Sequence, residues 1–456
     1  MDETDQNRLT EGSVPRKMLA FALPIFLSNL FQQLYNAVDS LIVGNFIGST
    51  ALAAVGSSAS MIMLLVGFIN GVSLGAGVVI ARFYGADDRE NLSRALHTTV
   101  ALGIAAGLVL TVVGVLLTPQ ILRWMGTPGD VIGNSIAYFR VYFLGSSAVV
   151  LYNMCASILQ SVGDSRSPMK YLIFASLTNV VLDLLFVAVF RWGVASAALA
   201  TILSQTVSAI MVTVLLVKEE GAMHLDLRHL GFHKKALLQI IQIGLPAGLQ
   251  STVFSLSNVV IQSAINSFGS TVVAGNSAAS NLEGFIYTGM NAFAQAAVTF
   301  TSQNVGARRY DNLDRVMRNC LLCVTVAGLF LGCGAYFGGE VLLHFYSTDE
   351  AVVAAGLSRM QIICTAYFLC GIMDTLASCL RGRGYSVIPM IVSLVGSCLL
   401  RLVWIATIFR MFRSTGTLYI SYPISWALTA GVHLICLLVV RKKMNDQLKE
   451  ERHLAA

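Results

Sequence analysis

The chain has 456 residues, of which 55% are hydrophobic and only 12% charged, and its mean hydropathy is +0.71. Soluble domains carry about 25% charged residues, so a water-soluble fold is excluded; the length instead accommodates a dozen bilayer-crossing helices of about 20 residues each. The formal charge of +6 would point to nucleic acid in a soluble protein, but in a membrane protein excess base reports loop orientation.

The first residues, MDETDQNRLTEGSVPRK, are acidic and polar and lack the basic and apolar regions of a cleaved signal peptide. Targeting is therefore expected from the first span. Apolar runs bounded by charges and turn residues predict twelve helices, at 17–46, 51–81, 93–118, 132–158, 168–190, 193–217, 236–268, 273–303, 314–338, 353–379, 386–410 and 415–440. With the N-terminus inside, 23 of the 30 Lys and Arg residues fall on the cytoplasmic side; Arg123, Arg140, Arg191, Arg359, Arg401, Arg410 and Arg413 do not. That asymmetry predicts an inner (plasma) membrane protein with both termini cytoplasmic, and it removes the need for a nucleic-acid partner.

Pro24 and Pro246 recur near the start of spans one and seven, where the missing N–H and the ring predict kinks. Gly71-x-x-x-Gly75 in span two fits close helix packing or bending. The longest polar connection, KEEGAMHLDLRHLGFHKK, divides the chain into an N-terminal six-helix lobe (1–217), a cytoplasmic linker (218–235) and a C-terminal six-helix lobe with a short basic tail (236–456). The linker's His224, His229 and His233 have spacings that could suit a metal but read as a solvated cytoplasmic loop, and the pair Cys320-x-x-Cys323 is followed by no second pair or nearby His.

The two halves are repeats. At an offset of 221, GADDRENLSR (85–94) matches GARRYDNLDR (306–315), and ASILQSVGDSRSPM (156–169) matches ASCLRGRGYSVIPM (377–390); IGST (47–50) is echoed by FGST (268–271). A fixed offset over separate segments marks an internal duplication. Because each half has an even number of spans, the copies insert the same way up, giving two pseudo-symmetric lobes around a central cavity.

Charges inside spans are costly and point to function. Four acids lie there: Asp39, Asp183, Glu283 and Asp374. Asn29, Gln32, Gln33, Asn36, Asp39 and Ser40 recur every three or four positions along one face of span one, Asn179 and Asp183 stack four apart in span five, and Thr201, Gln205 and Ser208 share a face of span six. At about 1.5 Å per residue the depths of Asp39, Asp183 and Thr201 overlap in the outer half. Two carboxylates among amide and hydroxyl oxygens suit a proton or a small hard cation, and the competing reading is that these groups only hydrogen-bond helices together. In the second half Glu283, Tyr287, Asn291 and Gln295 repeat at four-residue steps, and the depth of Arg401 predicts an ion pair with Glu283. Asp374, close before Arg381, is expected to be structural.

NAVDSLIVGNFIG in span one, Asn179-x-x-x-Asp183 in span five, AALATILSQ in span six and the paired SVGDSRSPM and RGRGYSVIPM segments together resemble the multidrug and toxic compound extrusion (MATE) family, over essentially the whole chain. The resemblance implies an all-α membrane antiporter, not an enzyme, that admits H+ or Na+ while exporting organic, often cationic and amphipathic compounds by alternating access. Carried over residue by residue, Asp39, Asn179, Asp183 and Thr201 match the family's amino-lobe cation site, which is also where a Na+ ion would be held. Two positions depart from the family pattern: FSLSNVVIQ offers Ser255, Ser257 and Asn258 where some members carry a glutamate, and Asp374 is offset from their helix-ten aspartate. Candidates for second-lobe coupling or substrate contact are accordingly Glu283, Asn291, Arg401 and Asn258, with Pro24 as a hinge. The expected partners are small organic substrates and membrane lipids, the expected state is a monomer, and no cofactor beyond the coupling ion is implied. The alternative reading is a flippase or exporter of a lipid-linked or anionic precursor, which predicts a base-rich cavity.

Overall fold

A computed structural model describes residues 9–455 apart from 11, 48, 125, 126, 128 and 130; the side chains of 40, 44, 49–61, 63, 445 and 447–455 are likewise outside the description. Gly48 and the side chains of Ser40, Ser49 and Thr50, singled out above, therefore lie outside the described residues.

The described chain is helical, with no strand among these residues. In order, the helices are α1 (Val14–Phe46), α2 (Ser49–Gly85), α3 (Arg89–Trp124), α4 (Ile132–Leu144), α5 (Ser146–Ser161), α6 (Arg166–Asp183), α7 (Val194–Lys218), α8 (Lys234–Asn266) and α9 (Ser270–Gly306). They continue as α10 (Tyr310–Phe337), α11 (Gly339–His344), α12 (Glu350–Ile363), α13 (Tyr367–Gly382), α14 (Val387–Ser393), α15 (Leu400–Ala406), α16 (Ile408–Met411) and α17 (Thr415–Ala455). Wider π turns follow α6 at Leu184–Val189 and join α14 to α15 at Leu394–Leu399. Among the described residues nine helical stretches are long and apolar enough to cross a membrane, or eleven when each of two bent pairs counts as one span. The difference from twelve is α9, which has 37 residues but carries Asn276, Asn281, Glu283, Asn291 and Gln295.

Predicted spans four and ten are each broken. α4 meets α5 at 45° and α12 meets α13 at 46°, at Gly145 and Ala366, one repeat offset apart. The duplication recurs in the turns. Asp87 and Arg308 take the left-handed conformation at φ of 56° and 54°, and Gly163 and Gly384 do so at 98° and 92°. The bonds that close these turns also match: Asp88 N–H to Phe83 O with Arg309 N–H to Asn304 O, and Asp164 N–H to Leu159 O with Tyr385 N–H to Leu380 O. Each is the six-to-one bond of a helix C-terminus whose carbonyls must be satisfied before the chain turns.

The chain divides into two compact units, one taking in Leu23–Gly248 and the other Leu9–Ala22 with Leu249–Ala456. Each divide falls inside a helix beside a proline: just before Pro24 in α1 and just after Pro246 in α8. Both helices run through their proline without a break, and Ser28 Oγ donates to the Pro24 carbonyl at 2.9 Å. In the first unit α3 packs on α5, and α7 on α4, α5 and α6. Gly71 and Gly75 resolve in favour of close packing: a Cβ on Gly75 would lie 2.5 Å from Gly244 Cα, and one on Gly71 would run into the Gly248 backbone. In lipid, where apolar surface gains nothing from leaving the solvent, such backbone approach is a main source of helix adhesion. In the second unit α9 packs on α10, α12 and α13, and α13 on α17.

The linker is docked on α3. Asp226 N–H donates to His97 Nε2 at 3.1 Å and His233 N–H to Thr98 Oγ1 at 3.1 Å. His229 Nδ1 meets Asp226 Oδ2 at 2.6 Å. No group of three or more His, Cys, Asp or Glu suited to a metal occurs among the described residues.

Candidate functional site

Within the first unit, α1, α6 and α7 bring together the predicted polar faces. Asp39, Asn179 and Asp183 are buried, and the Asp39 and Asp183 carboxyl groups lie within each other's electrostatic reach. Asp183 is the last residue of α6 before the π turn at Leu184–Val189. Such turns re-aim the residues around them and cluster at functional positions.

Hydrogen bonding fixes what the site offers. Thr201 Oγ1 donates to the Ala197 carbonyl at 3.1 Å, so toward Asn179 it accepts, from Nδ2 at 3.4 Å. The Asn179 amide is thereby turned with its carbonyl oxygen free. Asn179 Oδ1, both Asp183 carboxylate oxygens and Asp39 Oδ1 are buried and without a donor. Around them, Gln205 Nε2 donates to Tyr35 Oη at 3.3 Å, and Tyr35 and Tyr138 both feel the two carboxylates. Among the described residues, neither carboxylate has a cationic side chain acting on it. A buried set of acceptors with no donor is incomplete. It is satisfied by protons on the carboxyl groups or by a hard cation taking oxygen ligands.

The second unit has a different arrangement, which corrects the expected pairing of Glu283 with Arg401. Glu283 is held instead by Arg359, through Nε to Oε1 at 2.8 Å and Nη2 to Oε2 at 2.7 Å, while Arg359 Nη1 donates to Asn276 Oδ1 at 2.7 Å. Arg359 reads from the sequence as one of the seven bases off the cytoplasmic side, near the start of predicted span ten, and it is buried with Glu283. It sits within α12, and only a bidentate fork of this kind offsets the desolvation of two charges. Arg401 points elsewhere: Nε donates to Ser425 Oγ at 2.8 Å, and Cζ lies 4.2 Å from the Tyr422 ring centre. Asn291 accepts from Gln295 Nε2 at 3.1 Å, Asn258 is exposed, and Asp374 lies within electrostatic reach of Arg381. Arg381 itself donates to Gln250 Oε1 at 2.7 Å.

Sequence reading missed Tyr35, Tyr138, Asn276 and Arg359 as members of these clusters. Tyr35 is one turn before Asp39 and Asn276 two turns before Glu283, so helical spacing carried a signal for both. Tyr138 lies on a different helix from either carboxylate, and nothing local marks it.

The MatE family model matches residues 24–185 and 246–407, two segments that begin at Pro24 and Pro246. The Probable multidrug resistance protein YoeA of Bacillus subtilis (strain 168) is 28% identical over 404 residues, covering 86% of this chain and 87% of that protein. The Multidrug export protein MepA of Staphylococcus aureus (strain NCTC 8325 / PS 47) is 21% identical over 444 residues, 96% of this chain and 97% of its own. Among solved structures, the outward-facing conformation of a multidrug resistance MATE family transporter of the MOP superfamily superposes with a TM-score of 0.91 at 22% identity, covering 98% of this chain and all of that one. A MOP superfamily transporter from Pyrococcus furiosus Vc1 (DSM3638) gives 0.90 at 22% identity over the same 98%.

Proposed function

This chain belongs to the MatE family of multi-span membrane transporters, and from that premise we propose that it is a cation-coupled antiporter exporting small organic, often cationic and amphipathic compounds. The family is one of transporters rather than enzymes. The observation that carries the coupling role is the set of four buried, donor-free oxygens on Asp39, Asn179 and Asp183. Thr201 supports it by fixing the Asn179 amide. Names of relatives such as YoeA and MepA support the export of varied organic compounds.

The coupling ion, H+ or Na+, enters as cargo at these oxygens and removes the repulsion between two carboxylates. Uptake of the ion shifts the transporter only by as much as one state binds it better, about 1.4 kcal/mol for each factor of ten in population. Asp39 and Pro24 share α1, so the charge state of Asp39 biases the shape of that helix, with Pro24 as the hinge. Both termini and the linker face the cytoplasm of the inner (plasma) membrane, where the basic residues concentrate.

The test is efflux of several cationic dyes from proteoliposomes under an imposed proton gradient and then a sodium gradient. One of the two gradients drives efflux by the wild type, and Asp39→Asn and Asp183→Asn each lose it; full ion-driven efflux by either variant overturns the assignment.

A further inference from the structure

The unpartnered buried atoms of the second unit differ in kind from those around Asp39. In the first-unit site they are acceptors. In the second unit the described ones are the Arg401 Nη2, Arg381 Nε and Arg383 Nε nitrogens, the Ser257 and Thr375 hydroxyls, and His433 Nδ1. Guanidinium nitrogens only donate, and both hydroxyls are able to.

Arg401 is the centre of this set. It is 4% exposed. Its Nε is used by Ser425, its face is covered by Tyr422 at 4.2 Å, and Trp426 lies at 5.6 Å. The side chains acting on it are Tyr422, Cys370, Cys398 and Tyr367, none of them a carboxylate. The carboxylate of suitable depth, Glu283, is already held at both oxygens by Arg359. The Ser257 hydroxyl is within hydrogen-bonding reach of the Cys398 thiol, a weak partner, and Arg401 acts on the same thiol, so the two donors lie beside one residue. Aromatic faces recover part of the cost of burying a guanidinium, but a fork with a free N–H is the complement of a carboxylate or phosphate.

We propose that Arg401 and Ser257 bind the carboxylate or phosphate oxygens of an amphipathic compound whose apolar body lies against Tyr422 and Trp426. The inference rests on the export reading and extends its substrate class to anionic and zwitterionic compounds. The same oxygen chemistry is offered by a transported aromatic acid and by a lipid headgroup, and the experiment separates them.

Full-length protein in lipid-free detergent is titrated calorimetrically with 2-naphthoate, with 2-naphthylmethylammonium, and with short-chain phosphatidate. Arg401→Gln is expected to weaken 2-naphthoate by at least about tenfold and Ser257→Ala by about threefold, with the cationic probe unchanged in both. An Arg401-dependent loss confined to the phosphatidate assigns the oxygens to a lipid headgroup. Should Arg401→Gln fail to fold, Arg401→Lys, which keeps the charge and loses the fork, and Ser257→Ala carry the test. Wild-type affinity for both anions in the folded variants, no anion binding by the wild type, or equal losses of anionic and cationic probes overturns the proposal. If cationic dyes are still exported on an ion gradient, such a failure leaves the export reading standing.

Discussion

Arg359 grips Glu283 with two parallel N–H···O bonds of 2.8 and 2.7 Å between α12 and α9, and gives its third nitrogen to Asn276. Both Glu283 oxygens are engaged by the guanidinium fork, which ties the carboxylate on α9 to α12. Removing one partner of such a pair strands the other charge. Glu283→Gln is expected to cost about 3–5 kcal/mol, and adding Arg359→Gln to it is expected to recover part of that loss. Denaturant unfolding of the purified variants measures both; equal stability of the double variant and the sum of the singles would mean that the two residues are not coupled.

The close approach of α2 to the first part of α8 gives a steric prediction. A Cβ at Gly75 meets the Gly244 backbone at 2.5 Å, and backbone cannot rotate away as a side chain can. Gly75→Val is expected to destabilise by about 1–3 kcal/mol. Gly334→Ala in α10, where nothing lies within 4 Å of the added carbon, is expected to be neutral or to stabilise by up to about 1 kcal/mol. Paired melting curves check the contrast, and equal melting of the two variants counts against the packing.

A third prediction concerns pH at the start of α3. Asp88 accepts from the Asn91 backbone at 3.1 Å and from the Asn91 side chain at 2.7 Å, and these bonds hold its carboxyl below the ordinary 3.8. A carboxylate whose pKa is lowered by folding contributes stability above its unfolded pKa and loses it as pH falls through the folded one. Asp88→Ala is therefore expected to melt lower than the wild type by an amount that is constant above about pH 5 and shrinks only below the ordinary carboxylate range. A gap that grows on acidification contradicts the assignment.

The site was legible where a charge interrupts an apolar run. Asp39 and Asp183 are conspicuous among Val, Leu and Ile, and their neighbours at three- and four-residue spacing disclosed the face they share. Arg359 was misread because a base near a span end looks the same in sequence whether it meets water or turns inward to an acid on another helix. The bends at Gly145 and Ala366 were invisible for a related reason: VYFL before and AVVL shortly after Gly145, and IIC before and YFLC after Ala366, keep the average hydropathy high through the break. The π turn after Asp183 has no compositional mark. The repeat offset of 221, by contrast, is matched in the turns down to individual bonds, because segments alike in local sequence close their helices alike.

The central claim is that ion coupling resides at the donor-free oxygens of Asp39, Asn179 and Asp183. Its most direct test compares two modes of one reconstituted protein: dye efflux driven by an ion gradient, and dye-for-dye exchange at equal ion concentrations. In the Asp39→Asn/Asp183→Asn variant, gradient-driven efflux is predicted to fall by at least about tenfold, corresponding to about 1.4 kcal/mol of lost coupling, while exchange continues. Gradient-driven efflux at the wild-type rate in that variant would contradict the account.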